Sequence, residues 1–352
     1  MILLSHLVER YQSDLERLHG PELLPSHRQA LKAIARCRRT GSDLMVVGCP
    51  NCKHTLKIPH SCGHRSCPHC QHQQSQQWLE RQRAKLLPVR YFLITFTVPA
   101  ELRGLFWSKQ KIAYGLLLKT AWQTLASFAA RDPKLQGRLG AHAVLHTHNR
   151  RLGYHPHVHL IVPAGAINKQ SHQWRSKEGT FLFPEKNLAK VFRAKWFGAM
   201  ANLGWHVNTT LPIHWVVDCK AVGKGDQALL YLGRYLYRGV LPEKDILSES
   251  DGQVTFRTKD NQGNTILQTV PGGELLWILL RHVLPKRFRR VRDFGLLHGN
   301  AKRLIQLLQL LLHVIPQPPK QRREKPPVLC PLCGHAMALL AIRVKTPTPL
   351  LC

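Results

Sequence analysis

The segment "CPNCKHTLKIPHSCGHRSCPHC", residues 49–70, carries Cys49, Cys52, Cys62, Cys67 and Cys70. A stretch so rich in thiols and so poor in large apolar side chains cannot build a core of its own, so a metal ion has to organise it. Each C-x-x-C pair forms a tight knuckle offering two thiolates, and two knuckles complete the tetrahedral shell of a structural Zn2+. The opening "MILLSHLVER" lacks the basic start and long apolar core of a secretory leader, which speaks against a disulfide framework. The spacing therefore predicts Cys49, Cys52, Cys67 and Cys70 as zinc ligands. Cys62 and His64 can replace one of them or serve a second ion. A further pair, Cys330 and Cys333 in "CPLCGH", reads as half a zinc ribbon, completed by His335 or Cys352. Cys37 and Cys219 stand alone and read as small core residues.

Charge narrows the partners. Against 51 Lys and Arg stand only 20 Asp and Glu, a formal net charge of +31. That is the electrostatic footprint of a polyanion binder, and nucleic acid is the usual polyanion. No apolar run reaches membrane-spanning length, so the expectation is a cytoplasmic DNA- or RNA-binding chain without a membrane partner. The shortage of carboxylates also argues against two-metal nucleases and DDE-type recombinases, which hold their ions with clustered Asp and Glu. Asp218, after "IHWVV", is the main carboxylate beside a strand-like run.

Along the chain, residues 1–45 read as a basic helical region, and 46–87 as the zinc module followed by the basic helix "QHQQSQQWLERQRAKLLP", ended by Pro88. Residues 88–240 alternate strand and helix signals. A β-rich run spans Tyr91 to Val98. Leu118, Trp122, Leu125 and Ala129 recur at helical spacing as a core stripe. "GAHAVLHTHNRR" and "GYHPHVHLIVP" form a hairpin. "KNLAKVFRAKWFGAMANLGW" reads as a helix, "TTLPIHWVVD" as a strand and "DQALLYLGRYLYRGV" as a helix. A basic region, 241–314, a proline-rich linker, 315–328, and the last cysteine segment, 329–352, complete the chain, with no internal repeat evident. The expected class is α+β: a central antiparallel sheet covered by helices, with an N-terminal cysteine-rich zinc module and basic helical extensions.

Within the hairpin, "HPHVH" puts His155, His157 and His159 at alternate positions of one strand, and hence on one face. Imidazoles two residues apart on a strand can converge on one metal ion. In "YLGRYLYR", Tyr231 and Tyr235 are four apart and stack on one helix face beside Arg234 and Arg238, while Leu229, Leu232 and Leu236 form another face. A phenol is a weak nucleophile, with a pKa of about 10. Attack on a phosphodiester needs the phosphorus polarised, which a bound divalent ion, Mg2+ or Mn2+, supplies as a Lewis acid. Histidine site and tyrosine helix then read as two halves of one reaction.

These motifs resemble the HUH endonucleases, named for the His-hydrophobic-His triplet, here His157-Val158-His159. More closely, the chain is similar to the two-tyrosine rolling-circle transposases of bacterial insertion sequences. "SCGHRSCPHC", "FLITFTVPAELR", "LGYHPHVHLIVP", "YLGRYLYRGVL" and "HVLPKRFRRVRDFGLLHG" follow in that order over most of residues 45–300. The resemblance implies nicking of single-stranded DNA at the element ends and joining to target DNA, in the bacterial cytoplasm at the nucleoid. A tyrosine takes the 5′-phosphate and leaves a 3′-OH, so joining needs no ATP. The family's pair falls on Tyr231 and Tyr235, leaving Tyr237 outside the pattern. The third metal ligand stays open among His148, His146 and His155, with His155 and His148 ranked first. Alternatives are a plasmid relaxase or rolling-circle replication initiator, and a non-catalytic zinc-dependent DNA-binding regulator.

Overall fold

A computed structural model describes the chain except residues 1, 40–42, 69, 71, 169–170, 172, 225–226, 228–232, 234–239, 261, 315–326 and 345–352. It divides into two compact units. The first comprises Met1–Gln74, Tyr237–Val283 and Lys320–Cys352, the second Ser75–Leu236 and Leu284–Pro319.

In the first unit, α1 (Leu4–His19) and α2 (Pro25–Ala35) precede a hairpin of β1 (Leu44–Gly48) and β2 (Thr55–Pro59). The apolar stripe of α1 (Leu4, Leu7, Val8, Tyr11 and Leu15) is buried. It packs on α7 (Gly272–Leu280), which follows a three-stranded meander of β9 (Ile246–Ser250), β10 (Gln253–Lys259) and β11 (Thr265–Pro271). Gly272 lets the Tyr11 ring lie directly on the start of α7, where any Cβ would collide with it. Tyr11 Oη donates to Glu249 Oε1 at 2.7 Å, and the α1 N-terminus is capped by Glu243 Oε1, 2.7 Å from Leu4 N. The last strand, β13 (Ala338–Val344), pairs antiparallel with β1, giving the order β13-β1-β2.

The second unit is built on a five-stranded antiparallel sheet in the order β12-β4-β5-β3-β8. Its strands are β3 (Arg90–Thr97), β4 (Gly140–His148), β5 (Tyr154–Pro163), β8 (Val216–Lys224) and β12 (Val291–Gly295). The small pair β6 (Gly165–Ile167) and β7 (Trp174–Ser176) lies apart from it. Helices α3 (His72–Arg83), α4 (Arg103–Ser108), α5 (Gln110–Arg131), α6 (Glu185–Ala201) and α8 (Lys302–Leu311) complete the element order. Alternation along the strands gives the sheet two unlike faces. Phe92, Ile94 and Phe96 of β3, Ala141, Ala143 and Leu145 of β4, Val158, Leu160 and Val162 of β5, and Val217 of β8 join one core. They meet Leu117, Leu118, Ala121 and Leu125 of α5 and Leu188, Phe192 and Trp196 of α6 there.

The chain is thus α+β, with antiparallel sheets covered by helices. The expected hairpin of β4 and β5 is present, its turn held by Asn149, whose Oδ1 accepts from Gly153 N at 2.9 Å and Arg151 N at 3.0 Å. Two details differ from the sequence reading. Helix α3 gives way to turns after Arg83 rather than running to Pro88, and the strand expected over "TTLPIHWVVD" begins only at Val216 but continues to Lys224. No helix among the described residues is long and apolar enough to cross a membrane.

Candidate active site and metal centres

The second face of the central sheet is polar. Cross-strand partners share a face, so the pairs His146↔His157, Val144↔His159 and Thr95↔His159 place three histidines and a threonine together. His146, His157 and His159 each bring a ring nitrogen within 4.8 Å of the others, a spacing that fits one metal ion. His157 Nδ1 donates to the His155 carbonyl at 2.8 Å, leaving its Nε2 lone pair to face the cluster. Thr95 Oγ1 lies 2.9 Å from His159 Nδ1, and the two Nε2 atoms of His157 and His159 are 3.1 Å apart. Desolvation lowers the pKa of all three imidazoles, that of His157 to about 4, and Arg290 adds repulsion. They are neutral imidazoles near pH 7, the form in which histidine can bind a metal.

His146 therefore stands where His155 and His148 were ranked first. A register irregularity between His146 and His148 breaks the alternation, and His148 falls opposite Tyr154. His155 shares the strand face but turns to Arg103, whose Nη2 lies 3.2 Å from His155 Nδ1. Neither belongs to the three-histidine group. Tyr231, Tyr235, Tyr237, Arg234 and Arg238 lie outside the described residues. Gly233 between them is described: a Cβ there would lie 2.7 Å from Leu79 Cδ2 of α3, so glycine permits a close approach at the centre of "YLGRY".

The cysteines form two clusters of four, each with its sulfurs within 4.8 Å: Cys37, Cys62, Cys67 and Cys70, and Cys49, Cys52, Cys330 and Cys333. This corrects the expected set of Cys49, Cys52, Cys67 and Cys70. The first knuckle sits at the tip of the β1–β2 hairpin, and the second follows β2. A five-residue strand spans about 16 Å, far beyond the reach of one ion. Cys37 instead stands at the base of the hairpin, where Arg38 N donates to the His60 carbonyl at 3.2 Å, and its sulfur lies 3.5 Å from Cys70. It is a cluster member, not the small core residue expected. His64 is outside the cluster, its Nδ1 accepting from Ser66 N at 3.2 Å. The half ribbon Cys330-Cys333 is completed by Cys49 and Cys52 in place of His335, while Cys352 lies outside the described residues. Cys219 is buried in the core, as expected. Four thiolates form the donor set of a structural Zn2+.

Comparison with known proteins is consistent with this architecture. Residues 140–304 match the Y2_Tnp family model, described as "Putative transposase", and residues 6–98 match the Zn_Tnp_IS91 model, described as "Transposase zinc-binding domain". A relative described in the same words as the first, from Sinorhizobium fredii, is 30% identical over 379 residues, covering 97% of this chain and 94% of its own length. The chain belongs to the zinc-binding Y2 transposase family. The transposase for insertion sequence element IS801, from Pseudomonas savastanoi pv. phaseolicola, is 26% identical over 357 residues, with 88% of this chain and 83% of that protein covered. No solved structure matches. A transposase is a DNA-processing enzyme, and the charge of this one suits that substrate.

Of three further features of the transposase's polar face, only Asp218 stood out in the sequence, and without its place beside the histidines. Thr95 was legible only as one of two polar residues, with Thr97, at alternate positions of an apolar strand. Asp218 lies directly opposite Thr95 on β8, half exposed and 3.7 Å from Lys220 Nζ. Buried His142, on the same face as His146, holds Asp293 Oδ1 at 2.7 Å, and Lys85 Nζ donates to Asp293 Oδ2 at 2.8 Å. Burial would raise the Asp293 carboxyl, but His142 and Lys85 outweigh it and hold the group at about 2. Only the fold brings residues 85, 142 and 293 together.

Proposed function

We propose that this transposase nicks and rejoins single-stranded DNA at the ends of its insertion sequence through a 5′-phosphotyrosine intermediate. Tyr231 and Tyr235 serve as nucleophiles, and His146, His157 and His159 hold a divalent ion. The observation that carries the reading is the three-imidazole cluster on one sheet face, its ring tautomers oriented by Thr95 and the His155 carbonyl. When bound, the ion polarises the scissile phosphate as a Lewis acid. An all-nitrogen donor set suits Mn2+ better than Mg2+, which prefers oxygen ligands.

Each phenol gives up its proton as its oxygen bonds to phosphorus, the P–O3′ bond breaks, and the departing 3′ oxygen takes up a proton as a free hydroxyl, so protons balance overall. The phosphodiester energy stays in the phosphotyrosine, so a 3′-OH joins by the reverse step without ATP. Arg290 beside the histidines, with Arg234 and Arg238 of the tyrosine segment, supplies positive charge for the phosphate backbone. The enzyme works where its element's DNA is, in the bacterial cytoplasm at the nucleoid. The family match favours this reading over a plasmid relaxase or replication initiator.

Incubation with a single-stranded oligonucleotide of the element's end and Mn2+ tests the proposal. An adduct stable to denaturation is expected. His146→Ala/His157→Ala/His159→Ala should bind the oligonucleotide yet form none. A non-catalytic regulator would bind and give no adduct in either form, and that result would overturn the reading.

A further inference from the structure

Two stretches far apart in the chain, Cys49-Pro50-Asn51-Cys52-Lys53-His54 and Cys330-Pro331-Leu332-Cys333-Gly334-His335, share the pattern C-P-x-C-x-H and fold alike. In the first, Cys49 N donates to the His54 carbonyl at 2.8 Å and Lys53 N to the Cys49 carbonyl at 3.1 Å. In the second, Cys330 N donates to the His335 carbonyl at 2.8 Å and Gly334 N to the Cys330 carbonyl at 2.9 Å. The fifth residue is left-handed in both, with φ of 61° at Lys53 and 72° at Gly334. A third copy of the pattern, starting at Cys67, runs instead into α3. The repeat is too short to stand out from the sequence alone.

The two matching knuckles face each other. Cys49 Sγ lies 3.4 Å from Cys333 Sγ, and Cys52 Sγ lies 3.4 Å from Cys330 Sγ and 3.5 Å from Cys333 Sγ. These separations are far longer than a disulfide, about 2.05 Å, and near the edge of a ZnS4 tetrahedron, about 3.8 Å for Zn–S bonds of about 2.3 Å. Cys49 and Cys330 are buried.

Among the described residues, little else holds the C-terminal segment beyond strand pairing and a few side-chain bonds, such as that of His60 Nε2 with the Ile342 carbonyl. Strand β13 pairs with β1, and Leu340 lies over Gly48, where a Cβ would be 2.7 Å from Leu340 Cδ1. Yet Leu339, Leu340 and Ile342 are 53%, 61% and 67% exposed. Strand β13 is the third strand of the sheet β13-β1-β2, but with its apolar side chains left in water it buries little area, so its pairing alone fixes this segment only weakly to a partner almost 300 residues away in sequence.

We propose that Cys49, Cys52, Cys330 and Cys333 bind a second structural zinc ion that staples the C-terminal segment to the N-terminal module. It is distinct from the ion of the Cys37, Cys62, Cys67 and Cys70 cluster. Half of its ligands lie beyond residue 98, where the match to the zinc-binding family model ends. The free energy of binding becomes folding energy for this segment, because no preformed site exists in the unfolded chain. Losing the ion frees the segment without disturbing the first cluster.

Elemental analysis of the full chain, purified under reducing conditions, should find two zinc ions per chain. Cys330→Ser/Cys333→Ser should retain one. Cys62→Ser/Cys67→Ser should also retain one, which separates the two sites. A second measurement needs no cysteine variant to fold: a protease site inserted between residues 320 and 325 is cut in the otherwise native chain. The C-terminal fragment should stay bound through gel filtration and separate once a chelator removes the metal. One zinc per native chain, or a fragment that separates while both ions remain, overturns the proposal.

Discussion

Replacing Thr95 by valine removes one hydroxyl from the polar face and keeps the shape and the strand preference of the side chain. The lost contact is the 2.9 Å bond between Thr95 Oγ1 and His159 Nδ1. Without it the Nδ1 proton loses this acceptor, and the tautomer that carries the proton on Nε2, where the ion must bind, gains population. Removing one partner of a buried hydrogen bond costs about 1–3 kcal/mol, and each 1.4 kcal/mol or so is about tenfold in affinity. The expected loss of metal affinity is therefore about 10–100-fold, the range typical for removing a partner that orients a ligand. Adduct formation on a single-stranded end, titrated with Mn2+, reads this directly. Thr95→Val should need about 10–100-fold more ion for half-maximal adduct and recover full yield at saturation, while Thr95→Ser stays close to the native curve. An unchanged Mn2+ dependence would show that Thr95 does not orient His159. Loss of adduct at every concentration would show that its role is not confined to the ion.

Other expectations follow from the same structure. Asp293, whose carboxyl is held at about 2 against an unfolded value of about 3.9, contributes stability that is complete above the unfolded value and is lost as pH falls through about 2, roughly 2 kcal/mol in all. Denaturant unfolding between pH 5 and about pH 2 should show native protein losing that increment and Asp293→Asn lacking it; parallel curves would refute the network. Tyr231→Phe and Tyr235→Phe should each impair transposition in cells, and the double variant should form no adduct. Gly233→Ala brings a Cβ to 2.7 Å from Leu79 Cδ2 and should lower adduct yield severalfold, with Leu79→Ala restoring it. No restoration would place the cost elsewhere.

The sequence revealed local features and missed those that depend on register or on distant partners. The β4–β5 hairpin was legible because Asn149 and Gly153 mark its turn and apolar residues alternate on both sides. His157 and His159 were legible for the same reason, since a period of two fixes their face. His146 was harder: the register irregularity before His148 decides which histidine of "HTH" lies opposite His157, and nothing in the composition encodes it. The zinc ligands failed similarly. Nearest knuckles in sequence suggested one site, but the length of β2 keeps them apart, and each finds partners at its own end of the hairpin. Strand β12, which carries Asp293 to His142, comes from a stretch legible as basic and as part of the resemblance, but not as a strand.

The central claim, that two tyrosines of one segment carry the DNA on a histidine-bound ion's face of the sheet, is tested most directly by mapping the trapped adduct. Native protein is incubated with an oligonucleotide of the element's end and Mn2+, digested, and the peptide bearing the nucleotide is sequenced by mass spectrometry. The account predicts a phosphotyrosine at Tyr231 or Tyr235. An adduct on Tyr237, or on a residue outside 231–235, would contradict it.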